Sequence, residues 1–88
     1  MKVSWFIWNK SNIDPVARHG INPNEVDETL EGSYRILNTR NGRYTLLGCS
    51  AAGRYLTVIF DPPKDGQAGI VTARDMTKSE RRRYQQLL

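Results

Sequence analysis

The chain has 88 residues and a formal net charge of +4, which limits it to one small domain spanning residues 1–88. A domain of this size buries only roughly 60% of its unfolded surface, so its apolar side chains must share a single core. The single cysteine, Cys49, excludes an internal disulfide and a zinc site built from cysteines, and it favours a reducing compartment. No apolar run approaches the ~20 residues that span a bilayer, so we expect a soluble, cytoplasmic protein.

Charge is distributed unevenly along the sequence. Residues 1–33 carry three basic and five acidic side chains, a net charge of −2. Residues 34–88 carry ten basic and four acidic side chains, a net charge of +6. A basic surface in the second part suits a nucleic acid or an acidic protein partner, and composition alone does not decide between them.

The first part of the chain predicts a strand followed by a short helix. Alternate residues of a strand point to opposite faces, and in residues 3–8 large apolar residues occur on both faces. This pattern predicts a strand with both faces largely covered. Asn12 is predicted to cap the helix, with Pro15 in its first turn, where proline is tolerated. Gly20 is predicted to end it.

A second helix is predicted to follow at once, with Asn22 as its cap, Pro23 at its first position and Gly32 after its end. From residue 33 onward the apolar pattern changes to a period of two, which predicts four more strands. The turns between them are short, so neighbouring strands should be antiparallel. The four predicted strands are 34–38, 43–49, 55–61 and 69–74.

The last helix is predicted from a capping box, with Thr77 as N-cap and Glu80 three positions later. Its buried stripe is predicted at Tyr84, Leu87 and Leu88. Arg82 should point to the opposite side, into solvent. The complete order, β-α-α-β-β-β-β-α, predicts an α+β domain with a twisted, mainly antiparallel sheet and helices packed on one face.

Arginines crowd the junction between the last predicted strand and the last helix. Unpaired N–H groups and the macrodipole at a helix N-terminus favour an anion, and guanidinium forks bind phosphate oxygens well. The alternative is that the arginine run only solvates the helix, which we favour for Arg82. It is weaker for Arg74, because an arginine on a short apolar strand must find a partner for its charge. The four residues are Arg74, Arg81, Arg82 and Arg83.

His19 is the only histidine and the only side chain whose unperturbed pKa lies near neutrality. It is a candidate general acid or base, with Arg18 beside it as a candidate phosphate ligand. Equally, a histidine before Gly20 is a cation that the helix C-terminus favours. No second histidine, HExxH motif or thiol pair indicates a metal site, and no Gly-rich loop indicates a nucleotide cofactor.

An arginine-rich surface with one histidine suits the cleavage of RNA. Attack of the ribose 2′-hydroxyl on the neighbouring phosphate needs in-line geometry, charge stabilisation and proton transfer, none of which requires a metal. DNA lacks that hydroxyl, so the same surface could bind DNA but could not cut it in this way.

Short motifs follow one another along nearly the whole chain. They are Phe6-Ile7-Trp8, ARHGI at 17–21, Glu25-Val26, GRY at 42–44, Gly48, GRYLTVIF at 53–60, TAR at 72–74, and then Glu80, Arg82, Arg83 and Tyr84. This order resembles the BrnT family of type II toxins. The resemblance implies a RelE-like fold, mRNA endonuclease activity that blocks translation, with or without the ribosome, and neutralisation by a ribbon-helix-helix antitoxin. The chain departs from the family pattern at Asn9, Pro15, Arg18 and Thr72.

The resemblance also implies roles for particular residues. Arg74 and Arg83 would bind the scissile phosphate, and His19 or Glu80 would transfer a proton. Arg43 would position the RNA backbone. Tyr84 is a further substrate contact that the resemblance implies. Arg18 and Arg81 are expected to contact the substrate as well, because of their charge and position in the sequence. The alternative hypothesis is a non-catalytic RNA- or protein-binding module that keeps the fold, and neither hypothesis includes a metal or a small-molecule cofactor.

Overall fold

The computed structural model describes residues 1–39 and 41–87. The strands are β1 (Trp5–Ile7), β2 (Arg35–Asn38), β3 (Tyr44–Cys49), β4 (Tyr55–Phe60) and β5 (Gln67–Asp75). The helices are α1 (Lys10–Arg18), α2 (Pro23–Glu28) and α3 (Lys78–Leu87), with a 3-10 turn at Thr29–Glu31. The predicted α+β class and the predicted order of elements are confirmed. Of the helices in these two ranges, none is long and apolar enough to span a bilayer.

The five strands form one sheet in the order β1-β5-β4-β3-β2. β1 pairs parallel to β5, and every other neighbouring pair is antiparallel. The core lies between one face of this sheet and the helices α1 and α2. Its buried residues are Val3, Phe6, Val16, Ile21, Val26, Leu46, Leu56, Val58, Phe60, Ala68, Ile70 and Ala73.

α3 packs on the opposite face of the sheet. Thr57 points to that face because it alternates with the core residue Leu56, and its hydroxyl donates to Glu80 of α3 at 3.0 Å. The rings of Tyr55 and Tyr84 meet edge to face, with their centroids 6.0 Å apart. The predicted packing of all helices on one face is therefore wrong in this detail. The central strands bury residues on both faces, so both faces need a covering helix.

α1 begins earlier than predicted. Asn9 is its N-cap: the Asn9 side chain accepts from the Asn12 N–H at 3.1 Å, and the Asn12 side chain accepts from the Asn9 N–H at 2.8 Å. Asn12 also donates to the carbonyl of Ile7 at 2.7 Å, which fixes the helix to β1. Pro15 consequently lies inside the helix rather than in its first turn. Two asparagines three residues apart both suit a cap, so the sequence did not determine which one begins the helix.

α2 ends at Glu28, earlier than predicted, and the 3-10 turn Thr29–Glu31 continues the chain to Gly32. Three other predicted helix ends are confirmed. Gly20 follows α1 with a φ of 71°, a left-handed conformation that glycine adopts without strain. Asn22 and Glu25 form a capping box at the start of α2. Thr77 and Glu80 form another at the start of α3, with N–H to side-chain distances of 2.9 and 3.1 Å.

Two predicted burial patterns differ from the structure. Trp5 and Ile7 are 54% and 40% exposed, although we predicted that both faces of their strand are covered. α3 packs over β3 and β4 and leaves that part of the sheet face open. Leu87 is 39% exposed rather than buried, because α3 ends at the sheet edge, where the Leu87 carbonyl accepts from Arg35. Leu88 lies outside the described residues.

Arg54, just before β4, ties several elements together. Its Nε and Nη2 donate to the Asp75 carboxylate at 2.7 and 3.0 Å. Its Nη1 donates to the carbonyl of Gly20 at 3.0 Å and lies 3.4 Å from Glu25. The hydrogen bonds from Arg54 lower the pKa of Asp75. Arg54 thus joins the end of β5 to the end of α1 and the start of α2.

Replacing Arg54 with Ala should lower the free energy of unfolding by about 1–2 kcal/mol, because it removes a bidentate charge-assisted contact and a helix C-terminal hydrogen bond. Urea denaturation measures the change. The matched control is Arg82→Ala, an exposed arginine whose removal should change stability by less than about 0.5 kcal/mol. Equal stability of R54A and the wild-type protein would show that these contacts contribute nothing.

Candidate functional site

An ion pair between β5 and α3 forms the centre of the candidate site. Arg74 donates from Nη1 and Nη2 to the two carboxylate oxygens of Glu80, at 2.6 and 2.9 Å. The Thr57 hydroxyl and the Thr77 N–H both donate to Oε1 of Glu80, at 3.0 and 2.9 Å. Glu80 therefore accepts four hydrogen bonds from three parts of the chain.

Two features of the sequence bring this pair together. The capping box at Thr77 fixes the first turn of α3, so the Glu80 side chain turns back toward the strand that precedes it. The register of β4 and β5 places Thr57 opposite Arg74 on the same face. The ion pair thus follows from one local motif and one long-range strand pairing.

The hydrogen bonds decide the charge state of the pair. The bond from Arg74, together with those from Thr77 and Thr57, lowers the pKa of Glu80 from 4.5 to about 2 despite partial burial. The bond to Glu80 raises the pKa of Arg74. Both groups are charged at neutral pH, and a carboxylate with so low a pKa is a weak base. This environment favours a positioning role for Glu80 over proton transfer.

An open pocket of about 470 Å³ lies beside the ion pair, between α3 and the sheet. Leu47, only 1% exposed, is part of its floor. Arg83 is exposed at its rim, and no carboxylate within the two described ranges lies within 4 Å of the Arg83 guanidinium. The lining residues are Leu37, Asn38, Thr45, Leu47, Ser79, Glu80 and Arg83.

Arg81 and Tyr84 lie on a different side of α3. The Arg81 guanidinium sits 4.0 Å from the ring centroid of Tyr55, a cation–π contact. The Tyr84 ring is buried, its hydroxyl donates to the carbonyl of Ser33 at 2.7 Å, and burial raises its pKa. Both side chains have structural partners, and neither lines the pocket that Arg83 borders.

Arg43 lies at the far end of the same strands. Its Nε is 3.2 Å from the carboxylate of Asp61, and both side chains are about half exposed. Asp61 follows Thr57 by four positions, so Arg43 is separated from the Arg74–Glu80 pair by roughly 13 Å of strand. A ligand would have to extend along the sheet to touch both.

His19 and Arg18 lie at the C-terminal end of α1, in the layer that covers the core face. The chief cause of the low pKa of Asp75 is its hydrogen bonding to Arg54, and the charge of His19 is a smaller cause. Arg54 binds both Asp75 and the carbonyl of Gly20, the residue after His19, so the end of α1 lies close to the end of β5. Asp75 and Arg74 are consecutive in β5 and point to opposite faces, so the end of α1 and the Arg74 guanidinium lie on different faces of the strand end.

The structure thus brings together three of the predicted site residues, Arg74, Glu80 and Arg83. It places His19 and Arg18 around the strand end, Arg43 at the far end of the sheet, and Arg81 and Tyr84 on another side of α3.

Sequence reasoning missed two residues that hold the site. Thr57 contacts Glu80 across 23 positions of sequence, and Arg54 contacts Asp75 across 21. Both pairings depend on the register of β4 against β5. Neither residue carries a local signal of its contact, because a threonine is ordinary in a strand and an arginine is ordinary in a turn. Among the described residues, no three His, Cys, Asp or Glu side chains lie close enough to hold a metal ion.

The Arg74–Glu80 pair should make stability depend on pH. The folded protein holds the pKa of Glu80 at about 2, below its ordinary 4.5, so the unfolded chain takes up this proton at higher pH than the folded protein does. The contribution of ionised Glu80 to the free energy of unfolding is fully present above about pH 4.5, and it is lost as the pH falls through about 2. Urea denaturation at a series of pH values measures this loss.

The variant Glu80→Gln isolates the effect. E80Q keeps an oxygen for the Thr77 N–H but lacks the charge, so it should be less stable than the wild-type protein by about 1–3 kcal/mol at neutral pH. The difference in stability between E80Q and the wild-type protein should narrow in acid. The pH-dependent contribution of Asp75 to stability cancels in this comparison, because both proteins have Asp75. Glu31→Gln, at an exposed carboxylate, should keep the wild-type profile. A difference between E80Q and wild type that is the same at neutral and acid pH would contradict the assignment.

Comparison with solved structures finds a similar fold. The match is the 1.1 Å crystal structure of the Brucella abortus ribonuclease toxin BrnT, with a TM-score of 0.64 and 21% sequence identity. It covers 89% of this chain and 99% of that chain. No protein-family model matches the sequence, and no curated protein matches it either. The resemblance to the BrnT family that the sequence motifs indicate is therefore confirmed at the level of the fold.

Proposed function

We propose that this chain is a metal-independent endoribonuclease and the toxin of a type II toxin–antitoxin system. The observation that carries the proposal is an open pocket lined by Glu80 and Arg83, with Arg74 bound to Glu80. The shared fold supports it, since the Brucella protein is described as a ribonuclease toxin. A cytoplasmic location, where mRNA is translated, is part of the same proposal.

The charges of the site suit a phosphate. Glu80 offsets the charge of Arg74, which leaves Arg83 as a net positive charge at the pocket. A guanidinium has five N–H donors. Those of Arg74 make two hydrogen bonds to Glu80 and one to the carbonyl of Asp75, which leaves two for a ligand. A phosphate at the pocket mouth would bind to donors from both arginines.

Each residue then has a distinct role in cleavage. Arg74 and Arg83 would stabilise the charge that develops on the phosphoryl oxygens during attack by the 2′-hydroxyl. Glu80 would hold the Arg74 fork in a fixed orientation. Proton transfer would fall to His19, because Glu80 is too weak a base at its pKa of about 2. The RNA backbone would cross the end of β5 from the pocket toward the end of α1.

A binding module that lacks cleavage activity is the second candidate. The placement of His19 favours it, since His19 follows α1 in the other layer and does not line the pocket. The same surface would then hold RNA without a group to move protons. Affinity for RNA would fall steeply with rising salt, because phosphate contacts release counterions.

Cleavage of RNA by the purified protein should depend on Arg83 and His19. Arg83→Ala should slow cleavage at least tenfold, because it removes the free energy of about one charge-assisted hydrogen bond from the transition state. His19→Asn should slow it roughly a hundredfold, the lower end of the range for loss of a general acid or base. Cleavage of a defined mRNA with and without ribosomes measures both, and growth after induced expression gives a second measure.

Arg82→Ala is the matched control, because Arg82 precedes Arg83 on the same helix but is absent from the pocket lining. It should cleave at the wild-type rate. If no variant and no wild-type protein cleaves RNA while all bind it, the chain is a binding module. Full activity in H19N would remove His19 from the mechanism and leave the two arginines in place.

We also propose a ribbon-helix-helix antitoxin that covers Arg83 and the free donors of Arg74 with carboxylates. Coexpression with a short neighbouring reading frame, followed by mass determination, would identify the complex. Arg83→Ala should then weaken the complex roughly tenfold, because it removes a charged contact, whereas Arg82→Ala should not. Unchanged affinity in R83A would place the antitoxin on another surface.

A further inference from the structure

We infer that the open pocket between α3 and the strands β2 and β3 is a nucleotide subsite, in which one base of an RNA chain lies against the sheet and its phosphate binds Arg83. The inference rests on the proposed function and adds to it the ligand of the pocket.

The size and floor of the pocket suit a planar base. Its volume of about 470 Å³ falls within the range of small-molecule sites. Leu37 and Leu47 lie on the neighbouring strands β2 and β3 and share the face that α3 covers. Leu47 is only 1% exposed, so the accessible apolar surface of this floor comes from the half-buried Leu37. A ring placed there would remove apolar surface of Leu37 and of the ring itself from water.

Two hydroxyl groups line the walls. Thr45 comes from β3 and Ser79 from the first turn of α3. Within residues 1–39 and 41–87, neither hydroxyl makes a hydrogen bond to another protein group. A hydroxyl both donates and accepts, so either could pair with the polar edge of a base. Glu80, which also lines the pocket, already has protein partners.

The net positive charge at the pocket favours an anion. Glu80 is neutralised by Arg74, and Arg83 has no carboxylate partner in the described part of the chain. The pocket therefore combines an apolar floor, two hydroxyls and one net positive charge. A nucleotide matches all three, because it joins a planar base with polar edges to a single phosphodiester charge. A carboxylate side chain from a protein would match the charge and could accept from a hydroxyl, but it would bring no planar ring to the floor.

The position of the pocket places the nucleotide next to the proposed reaction. Ser79, Glu80 and Arg83 are at positions i, i+1 and i+4 of α3, so they share one side of the helix. Glu80 belongs both to the pocket wall and to the pair with Arg74. A nucleotide in the pocket is thus adjacent to the phosphate that Arg74 would hold, and the pocket would select the base beside the cleaved bond.

Binding can be measured without cleavage. The ¹⁵N-labelled protein is titrated with each of the four nucleoside 3′-monophosphates and, separately, with ribose 5-phosphate. We expect saturable changes in the amide signals of Thr45, Leu47, Ser79 and Arg83, with a different Kd for each base. Ribose 5-phosphate should bind several-fold more weakly than the best nucleotide, because it lacks the base.

Substitutions show which side chain of the subsite binds the phosphate and which binds the base. Arg83→Gln should weaken nucleotide binding roughly tenfold, and its matched control Arg82→Gln should not change it. Thr45→Val keeps the shape of the side chain and removes its hydroxyl, so it should change the order of preference among the four bases. The amide spectrum of each variant shows directly whether the fold is kept.

Several results would overturn the subsite. These are the absence of signal changes at the pocket with all four nucleotides, equal effects of R82Q and R83Q, and equal binding of ribose 5-phosphate and nucleotides. Pocket signals that respond to an acidic peptide but to no nucleotide would also overturn it. Nucleotide binding in a protein that cleaves no RNA would keep the subsite and reject the ribonuclease, and the reverse result would reject the subsite alone.

Discussion

The ion pair between Arg74 and Glu80 determines how the last helix sits on the sheet. Glu80 completes the capping box of α3 and binds both Nη groups of Arg74, so one side chain fixes the start of the helix and its attachment to β5. Partial burial of two charges costs solvation free energy, which hydrogen bonds from Arg74, Thr57 and Thr77 offset. The same bonds that hold Glu80 in place also remove it as a base. Structural and chemical roles therefore compete at this residue.

The end of β5 controls both layers of the domain. Arg74 and Asp75 are consecutive and point to opposite faces, where Arg74 binds Glu80 of α3 and Asp75 binds Arg54. Arg54 in turn holds the segment that follows α1 through the carbonyl of Gly20. Two neighbouring residues thus set the positions of α3 and of the α1 terminus that carries the only histidine. A ligand that contacts both faces of the sheet here must pass over this strand end.

Local signals predicted the parts of the fold that local interactions determine. The capping box of Thr77 and Glu80 and the left-handed Gly20 are set by residues within one turn, and the structure confirms them. The predicted start of α1 is wrong because Asn9 and Asn12 have the same capping chemistry. Arg54 was missed because its partner depends on strand register across 21 positions, which no local pattern determines. The face that α3 covers and the exposure of β1 depend on tertiary packing in the same way.

The arginine run of α3 shows why composition overstates the number of positive charges available to a phosphate. Successive residues of a helix are rotated by about 100°, so three neighbouring arginines reach three environments. Arg81 lies over the ring of Tyr55, Arg82 points to solvent, and Arg83 borders the pocket. Since Glu80 offsets Arg74, the pocket has a net charge close to that of one guanidinium. One charge gives modest affinity for any polynucleotide, so the net charge of the chain does not by itself make this pocket selective.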